Sequence, residues 1–388
     1  MGLRILVVDD SLIYRRILAE VARKLPGVEE VVTANDGKQA IRELESRPFD
    51  AALVDHHMPG MTGLELLAEM KKRWPEVAAI MVSSGEGEGA DLTVRALEAG
   101  ALEFVQKPSG TGYGVSVRLL QAELGRVFDA VRHRLRPGAP VPRQPAPAKP
   151  AARPPRPSAT PARPSPAPSP APSPAAPVPR PAARPGLRGR EPWIAAIGVS
   201  TGGPQALTKV IPALPGDYPL PIVMVQHMPP VFTASLAKRL DDLSALRVRE
   251  AAAGDVAERG TVLLAPGGRH MKIVLRDGKP VVELSDEPPV NSCRPAVDVL
   301  FRSLAACPEE RSVLAVIMTG MGQDGLEGVR ALKESGACWC ITQSADTCVV
   351  YGMPRAVDEA GLSDESVPLE RIAERLVAKA ALAGVGTR

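Results

Sequence analysis

Residues 193–204 read WIAAIGVSTGGP, an apolar run that ends on a serine and passes into small residues and a proline. A short apolar run bounded by glycines reads as a buried strand, and the pattern from Gln205 to Leu214 has helical spacing. Gly198-Val199-Ser200-Thr201-Gly202 fits the G-x-S-x-G nucleophile elbow, in which small flanking residues let a strand turn sharply into a helix and expose the serine. The same turn aims backbone N–H groups and a helix N-terminus at whatever Ser200 attacks. A glycine-rich phosphate cradle would look similar, but no G-K-[ST] follows here.

Around this stretch the chain repeats one style. Strands are expected at 221–226, 261–265, 271–275, 313–318 and 338–342, with helices at 205–214, 232–240, 295–306, 326–335 and 369–382. Short buried strands alternating with helices imply a doubly wound, mainly parallel α/β domain. A serine nucleophile needs a base, and this part holds two histidines, His227 and His270. His227 ends the run PIVMVQ at the same sheet edge as Ser200, whereas His270 lies in a loop after Pro266-Gly267-Gly268-Arg269, so His227 is preferred. The orienting carboxylate is expected at Asp324, in the glycine-rich segment after the strand 313–318, where the N–H of Met321 could also face an oxyanion. Asp324 could instead, or in addition, cap the next helix; Asp298 and Asp286 are weaker rivals. The order Ser, His, Asp differs from the Ser, Asp, His of α/β-hydrolases, so the elbow does not bring that fold with it.

Upstream, 20 of the 54 residues from 137 to 190 are proline, with nine Arg or Lys and no acid. Without apolar periodicity this segment cannot offset the entropy of folding and is expected to be an extended linker. The whole chain of 388 residues carries +3; without the linker the remainder is acidic, unlike a DNA-binding body, and no basic helix-turn-helix follows. No apolar stretch approaches eighteen residues, and the N-terminus does not look like a signal peptide. The five cysteines, odd in number and without a C-x-x-C pair, read as reduced thiols of a cytoplasmic protein.

The first 136 residues show five strand–helix units, with strands at 4–8, 30–34, 51–54, 79–83 and 102–105. In a parallel sheet of this kind functional residues gather at the carboxyl ends of strands. There stand Asp9 and Asp10, Asp55, Ser83 and, just after the fifth strand, Lys107. Three converging carboxylates call for a hard cation such as Mg²⁺. With Lys107 and Ser83 beside them the set suits phosphoryl transfer to Asp55.

This first part resembles the receiver domain of two-component response regulators, a five-stranded flavodoxin-like (βα)5 fold, through Asp9-Asp10, Asp55 with Met58-Pro59-Gly60, Ser83-Ser84 and Lys107-Pro108. The resemblance implies that Asp55 is phosphorylated, that Mg²⁺ is held by Asp10, Asp55 and the carbonyl of His57, that Lys107-Pro108 is cis, and that Phe104 is the switch aromatic. His57 stands where Asn or Glu is frequent, a departure that bears on dephosphorylation.

From about Trp193 to Ala381 the chain resembles the catalytic domain of the chemotaxis protein-glutamate methylesterase (CheB) family. The residues that carry the likeness are 197–204, Gln226-His227-Met228-Pro229-Pro230, 265–270, 294–301, Met318-Thr319-Gly320-Met321-Gly322 with Asp324-Gly325, and 347–354. The resemblance implies domains at 1–136 and 191–388 around a linker at 137–190. It makes Ser200 the nucleophile, His227 the base and Asp324 its orienter, with Thr201 and Met321 at active-site positions. The implied activity is hydrolysis of glutamate 5-O-methyl esters on methyl-accepting chemoreceptors, and deamidation of receptor glutamines, with no cofactor at the esterase. The implied partners are the receptors and a CheA-type histidine kinase as phosphoryl donor. No nucleic acid is expected, and the membrane would be approached only through receptors. Gly268 replaces an Asp frequent in the family. A receiver joined to a non-catalytic receptor-binding module is the competing reading. The resemblance also implies a receiver that packs over the active site and inhibits it until phosphorylated. The linker, at about 3.1 Å per residue, could extend on the order of 170 Å, which makes that inhibition depend on a good interface or be shallow.

Overall fold

The computed structural model describes residues 2–84, 88–108, 113–135, 192–307, 312–336 and 338–381. The expected linker and both of its boundaries lie outside the described residues. Met1–Ala139 and Gly186–Arg388 together form one compact unit.

The N-terminal sheet has strands β1 (Leu3–Val8), β2 (Val28–Ala34), β3 (Ala51–Asp55), β4 (Ala78–Ser83) and β5 (Glu103–Gln106), all parallel, in the order β2-β1-β3-β4-β5. Helices α1 (Leu12–Arg23), α2 (Gly37–Ser46), α3 (Gly63–Arg73), α4 (Glu88–Glu98) and α5 (Tyr113–Leu135) connect and follow them. Every residue of β3 and β4 is buried, which is why these strands read as continuous apolar runs rather than alternations. The start of α3 is fixed by a reciprocal Thr62–Glu65 capping box, which satisfies two N–H groups that the helix leaves open. Strand order reverses between β1 and β3, so Asp9, Asp10 and Asp55 meet at the crevice that a reversal opens.

The C-terminal sheet is built on the same principle from β6 (Pro192–Val199), β7 (Ile222–Gln226), β8 (Arg247–Glu250), β9 (Thr261–Leu264), β12 (Ser312–Ile317), β13 (Cys338–Gln343) and β14 (Glu365–Val367). Its order is β14-β13-β12-β6-β7-β9-β8, with every pairing parallel. Helices α6 (Gly203–Val210), α7 (Phe232–Leu243), α8 (Val297–Ala305), α9 (Leu326–Glu334), α10 (Met353–Glu359) and α11 (Leu369–Ala380) cover it. Here the order reverses between β6 and β12, so the segments carrying Ser200 and Asp324 border one crevice and the end of β7 adjoins it.

The structure adds strands that the pattern did not reveal, and it forms the expected strand at 271–275 within a hairpin. β10 (His270–Arg276) pairs not with the main sheet but with β11 (Lys279–Ser285), as an antiparallel hairpin. Its turn, Asp277-Gly278, has positive φ at both positions, the backbone that a two-residue hairpin favours. β8 and β14 are short edge strands; the charge of β8 blunts its edge but hides the period-two signal, and β14 is too short to show one. The expected cis bond at Lys107-Pro108 is a correction: the cis X-Pro bond among the described residues is Arg294-Pro295. No helix of the described residues is long and apolar enough to cross a membrane, and all five cysteines are free.

Candidate active site

β6 delivers Ser200 to the crevice, and the segment after β12 fixes it from behind. Ser200 N–H donates to the carbonyl of Thr319 at 3.0 Å, and Thr319 Oγ1 donates to the carbonyl of Thr201 at 2.9 Å. Gly320 has to be glycine, because a Cβ there would stand 2.8 Å from Cβ of Ser200. α6 starts at Gly202, whose φ of 78° is left-handed, with Pro204 in the first turn, a position where its missing N–H costs nothing. Gln226, 2 % exposed, locks the elbow: its Nε2 donates to the carbonyls of Ser200 at 3.0 Å and His227 at 3.3 Å. Gly203 gives that amide room, since a Cβ at 203 would lie 1.8 Å from Gln226 Oε1. Gly203→Ala is therefore expected to destabilise the fold by about 1–3 kcal/mol and to lower the esterase rate, read by the thermal midpoint together with activity. An unchanged midpoint would show that the elbow has slack.

The imidazole of His227 binds Asp324 Oδ2 through Nε2 at 2.7 Å. Its other nitrogen, Nδ1, lies 3.5 Å from Cys293 Sγ. Ser200 Oγ has no hydrogen-bond partner among the described residues, so the ring reaches the hydroxyl only after Nδ1 turns from the sulfur. Burial disfavours the imidazolium, but the Cys293 sulfur and the Asp324 carboxylate outweigh it and push the His227 pKa to about 10. The share from Cys293 acts only when that sulfur is a thiolate.

Asp324 is almost fully buried, and its acceptor capacity is filled. Oδ2 accepts from Val297 N–H as well as from His227, while Oδ1 accepts from Asp298 N–H, Gly325 N–H and Asn291 Nδ2. Burial alone would raise its pKa; the bonds from His227, Val297 and Asp298 hold it below the ordinary carboxylate value. The helix-cap reading of Asp324 belongs largely to Asp298, whose Oδ1 accepts from Gly325 and Gly328 N–H at the start of α9. The other rivals stand elsewhere. Asp286 pairs with Arg269 at the surface, and both ring nitrogens of buried His270 face backbone groups, Ala296 N–H and the Pro288 carbonyl. The N–H groups of Thr201, next to Ser200, and of Met321, next to Gly320, donate to no partner among the described residues.

At the other crevice, Asp9, Asp10 and Asp55 offer oxygens within 4.8 Å of one another, a hard donor set that fits Mg²⁺. Lys107 Nζ lies 2.9 Å from both Asp9 and Asp55. Burial weakens its ammonium, but those two carboxylates hold its pKa above the usual lysine value. Ser83 is buried with its hydroxyl on the Gly89 carbonyl, and the His57 side chain is exposed. His56 is buried against Thr93 Oγ1, and burial pushes its pKa down to about 4.

The receiver and the esterase meet at a packed interface whose residues sequence reasoning did not foresee. Thr201 Oγ1 donates to Glu103 Oε2 at 2.9 Å, bringing a receiver carboxyl to the residue after Ser200. Phe104 stacks on Phe232 with ring centroids 4.4 Å apart, and Arg239 Nε donates to both oxygens of Glu98. Burial raises the Glu103 pKa, opposed chiefly by the bond from Thr201. Among the residues missed from sequence, Gln226, Asn291 and Cys293 touch the site through tertiary contacts that carry no local signal.

The family described as CheB methylesterase matches residues 195–376, and the response regulator receiver domain matches residues 5–113. The protein-glutamate methylesterase/protein-glutamine glutaminase of Desulfotalea psychrophila is 38% identical, covering 97% of this chain and 98% of its own. A protein of the same description from Aliivibrio fischeri is 42% identical, covering 98% and 100%. The crystal structure of the Thermotoga maritima CheB methylesterase catalytic domain aligns at 43% identity with a TM-score of 0.47, over 48% of this chain and 98% of that one.

Proposed function

Because the chain belongs to the CheB methylesterase family and carries a response-regulator receiver ahead of the esterase, we propose that it hydrolyses glutamate methyl esters on methyl-accepting chemoreceptors and deamidates receptor glutamines under receiver control. The observation that carries this reading is the crevice where Ser200 stands at the end of β6 and the hydrogen-bonded pair His227–Asp324 spans the ends of β7 and β12.

Ser200 Oγ attacks the ester carbonyl carbon while His227, turned from Cys293, takes the hydroxyl proton through Nδ1. The oxyanion is received by the N–H groups of Thr201 and Met321. Collapse of the tetrahedral intermediate breaks the bond to the methoxy group, and His227 returns its proton to the departing methanol. Water then attacks the acyl-enzyme with the same proton relay, freeing the glutamate side chain and restoring Ser200. Asp324 stabilises the imidazolium formed at each step. A glutamine follows the same path with ammonia as the leaving group.

In the receiver, Asp10, Asp55 and the His57 carbonyl would hold Mg²⁺, with Asp9 alongside, and the bound ion would neutralise charge on the phosphoryl oxygens. Asp55 is the acceptor, with a CheA-type histidine kinase as donor, and Lys107, Ser83 and Phe104 respond to the phosphoryl group. Segment 137–190 serves as a tether between domains 1–136 and 191–388. The bond from Thr201 to Glu103, with Glu98 and Phe104 packed on α7, supports inhibition of the esterase by the unphosphorylated receiver, because it sets a receiver carboxyl against the residue after Ser200.

The test is methanol release from methylated receptor, with and without a small phosphoryl donor. The donor is expected to raise the rate of the native chain by roughly five- to a hundredfold and to leave Asp55→Asn unchanged. Equal rates for the native chain, the phosphorylated chain and the isolated esterase domain would remove receiver control. Absence of methanol under every condition would remove the esterase reading.

A further inference from the structure

Val290 and Cys293 close a two-residue turn. Val290 N–H donates to the Cys293 carbonyl at 3.1 Å, and Cys293 N–H donates to the Val290 carbonyl at 2.9 Å. The two central residues, Asn291 and Ser292, have φ of 51° and 62°, the left-handed pair of a type I′ turn. This turn leans directly on the His227–Asp324 pair. Asn291 Nδ2 lies 3.0 Å from Asp298 Oδ2 and 3.0 Å from Asp324 Oδ1, while Cys293 Sγ faces Nδ1 of His227.

Asp298 and Asp324 are both buried, 2 % exposed each, and two neighbouring carboxylates repel strongly away from water. Each satisfies most of its acceptor capacity with backbone N–H groups, and the remaining side-chain donor shared between them is the amide of Asn291. Arg302 is the cation near Asp298, 3.9 Å from the same Oδ2 that Asn291 binds, too far for a hydrogen bond. We propose that Asn291 is a positioning residue of the esterase, its amide bridging Asp298 and Asp324 so that their mutual repulsion is offset and Asp324 holds the His227 imidazole in its working orientation. This inference rests on the reading of His227 and Asp324 given above.

The charged and titratable groups facing the pair are Asp298 and Arg302 from α8, Cys293 from the turn, and Glu103 from β5 of the receiver. Burial and the charge of Asp324 already raise the Asp298 pKa. Without the amide, the uncompensated negative charge should make the His227–Asp324 unit hold its proton to higher pH.

Asn291→Gly separates the amide from the turn, because glycine accepts the left-handed φ without strain. In the full-length chain with phosphoryl donor, it is expected to lower kcat roughly ten- to a hundredfold with KM little changed, and to move the acid limb of kcat/KM upward. Adding Asp298→Asn removes the opposing charge and should recover most of both effects. NMR titration of the His227 ring, tractable in a chain with five histidines, should follow the same order: raised in Asn291→Gly and lowered again in the double variant. A normal kcat and titration in Asn291→Gly, or a loss that the second substitution does not reverse in either readout, would overturn the proposal. The ring titration decides it even if the native chain releases no methanol, an outcome that would sink the substrate reading separately.

Discussion

Replacing Ser200 with alanine is expected to lower methanol release by roughly 10⁴- to 10⁶-fold, the cost of removing the nucleophile from a unit whose members act together. The fold should be untouched. Ser200 Oγ bonds to nothing among the described residues, and the elbow is held by its backbone, through Thr319, Gly203 and Gln226. The thermal midpoint should therefore match the native chain while methanol release and labelling by a fluorophosphonate disappear together. Substantial residual turnover in a folded Ser200→Ala chain would take the serine out of the mechanism.

Asp324→Asn is expected to cost about 10⁴-fold in kcat. Asp324 accepts on both oxygens from five donors, so an amide group at 324 must direct N–H toward another N–H, and the imidazole loses the carboxylate that fixes its tautomer. The pH profile should change as well. In the native chain Asp324, joined by Cys293 once its sulfur is a thiolate, overcomes burial and pushes the His227 pKa to about 10. The neutral base is then the minor form at low pH, and turnover should climb as pH rises toward that value. In Asp324→Asn burial meets less opposition, the imidazolium is disfavoured, and the rising limb should move to lower pH beneath a much lower ceiling. A limb that stays in place would mean that Asp324 does not govern the base.

Strand ends were the readable part of this chain. Asp9, Asp55, Ser200 and His227 each follow a buried apolar run, and burial on both faces makes such runs visible without any partner in view. Asp324 was approachable for a related reason, since its segment is rich in glycines that only tight backbone needs. The turn at 290–293 had no such marking. Its side chains gain meaning from Asp324 and His227, more than thirty residues away in either direction, and Asn-Ser is not the usual sequence of a type I′ turn. The hairpin β10–β11 was half read because Met271–Leu275 is apolar whereas Lys279–Ser285 mixes charge into its pattern. The residues that make the interface were beyond reach for the same reason as the turn. Glu103 in the sequence is one acid beside an aromatic, and its burial against Thr201 exists only once two sheets meet.

β5 is four residues long, yet its two ends serve different masters. Just beyond its carboxyl end, Lys107 grips Asp55; at its amino end, Glu103 grips Thr201. At roughly 3.3 Å per residue, the span between them is about 13 Å. One short strand therefore borders both the acidic cluster of the receiver and the neighbour of the serine. Its length sets the separation of the two contacts, so an inserted or deleted residue in β5 would move one of them relative to the other.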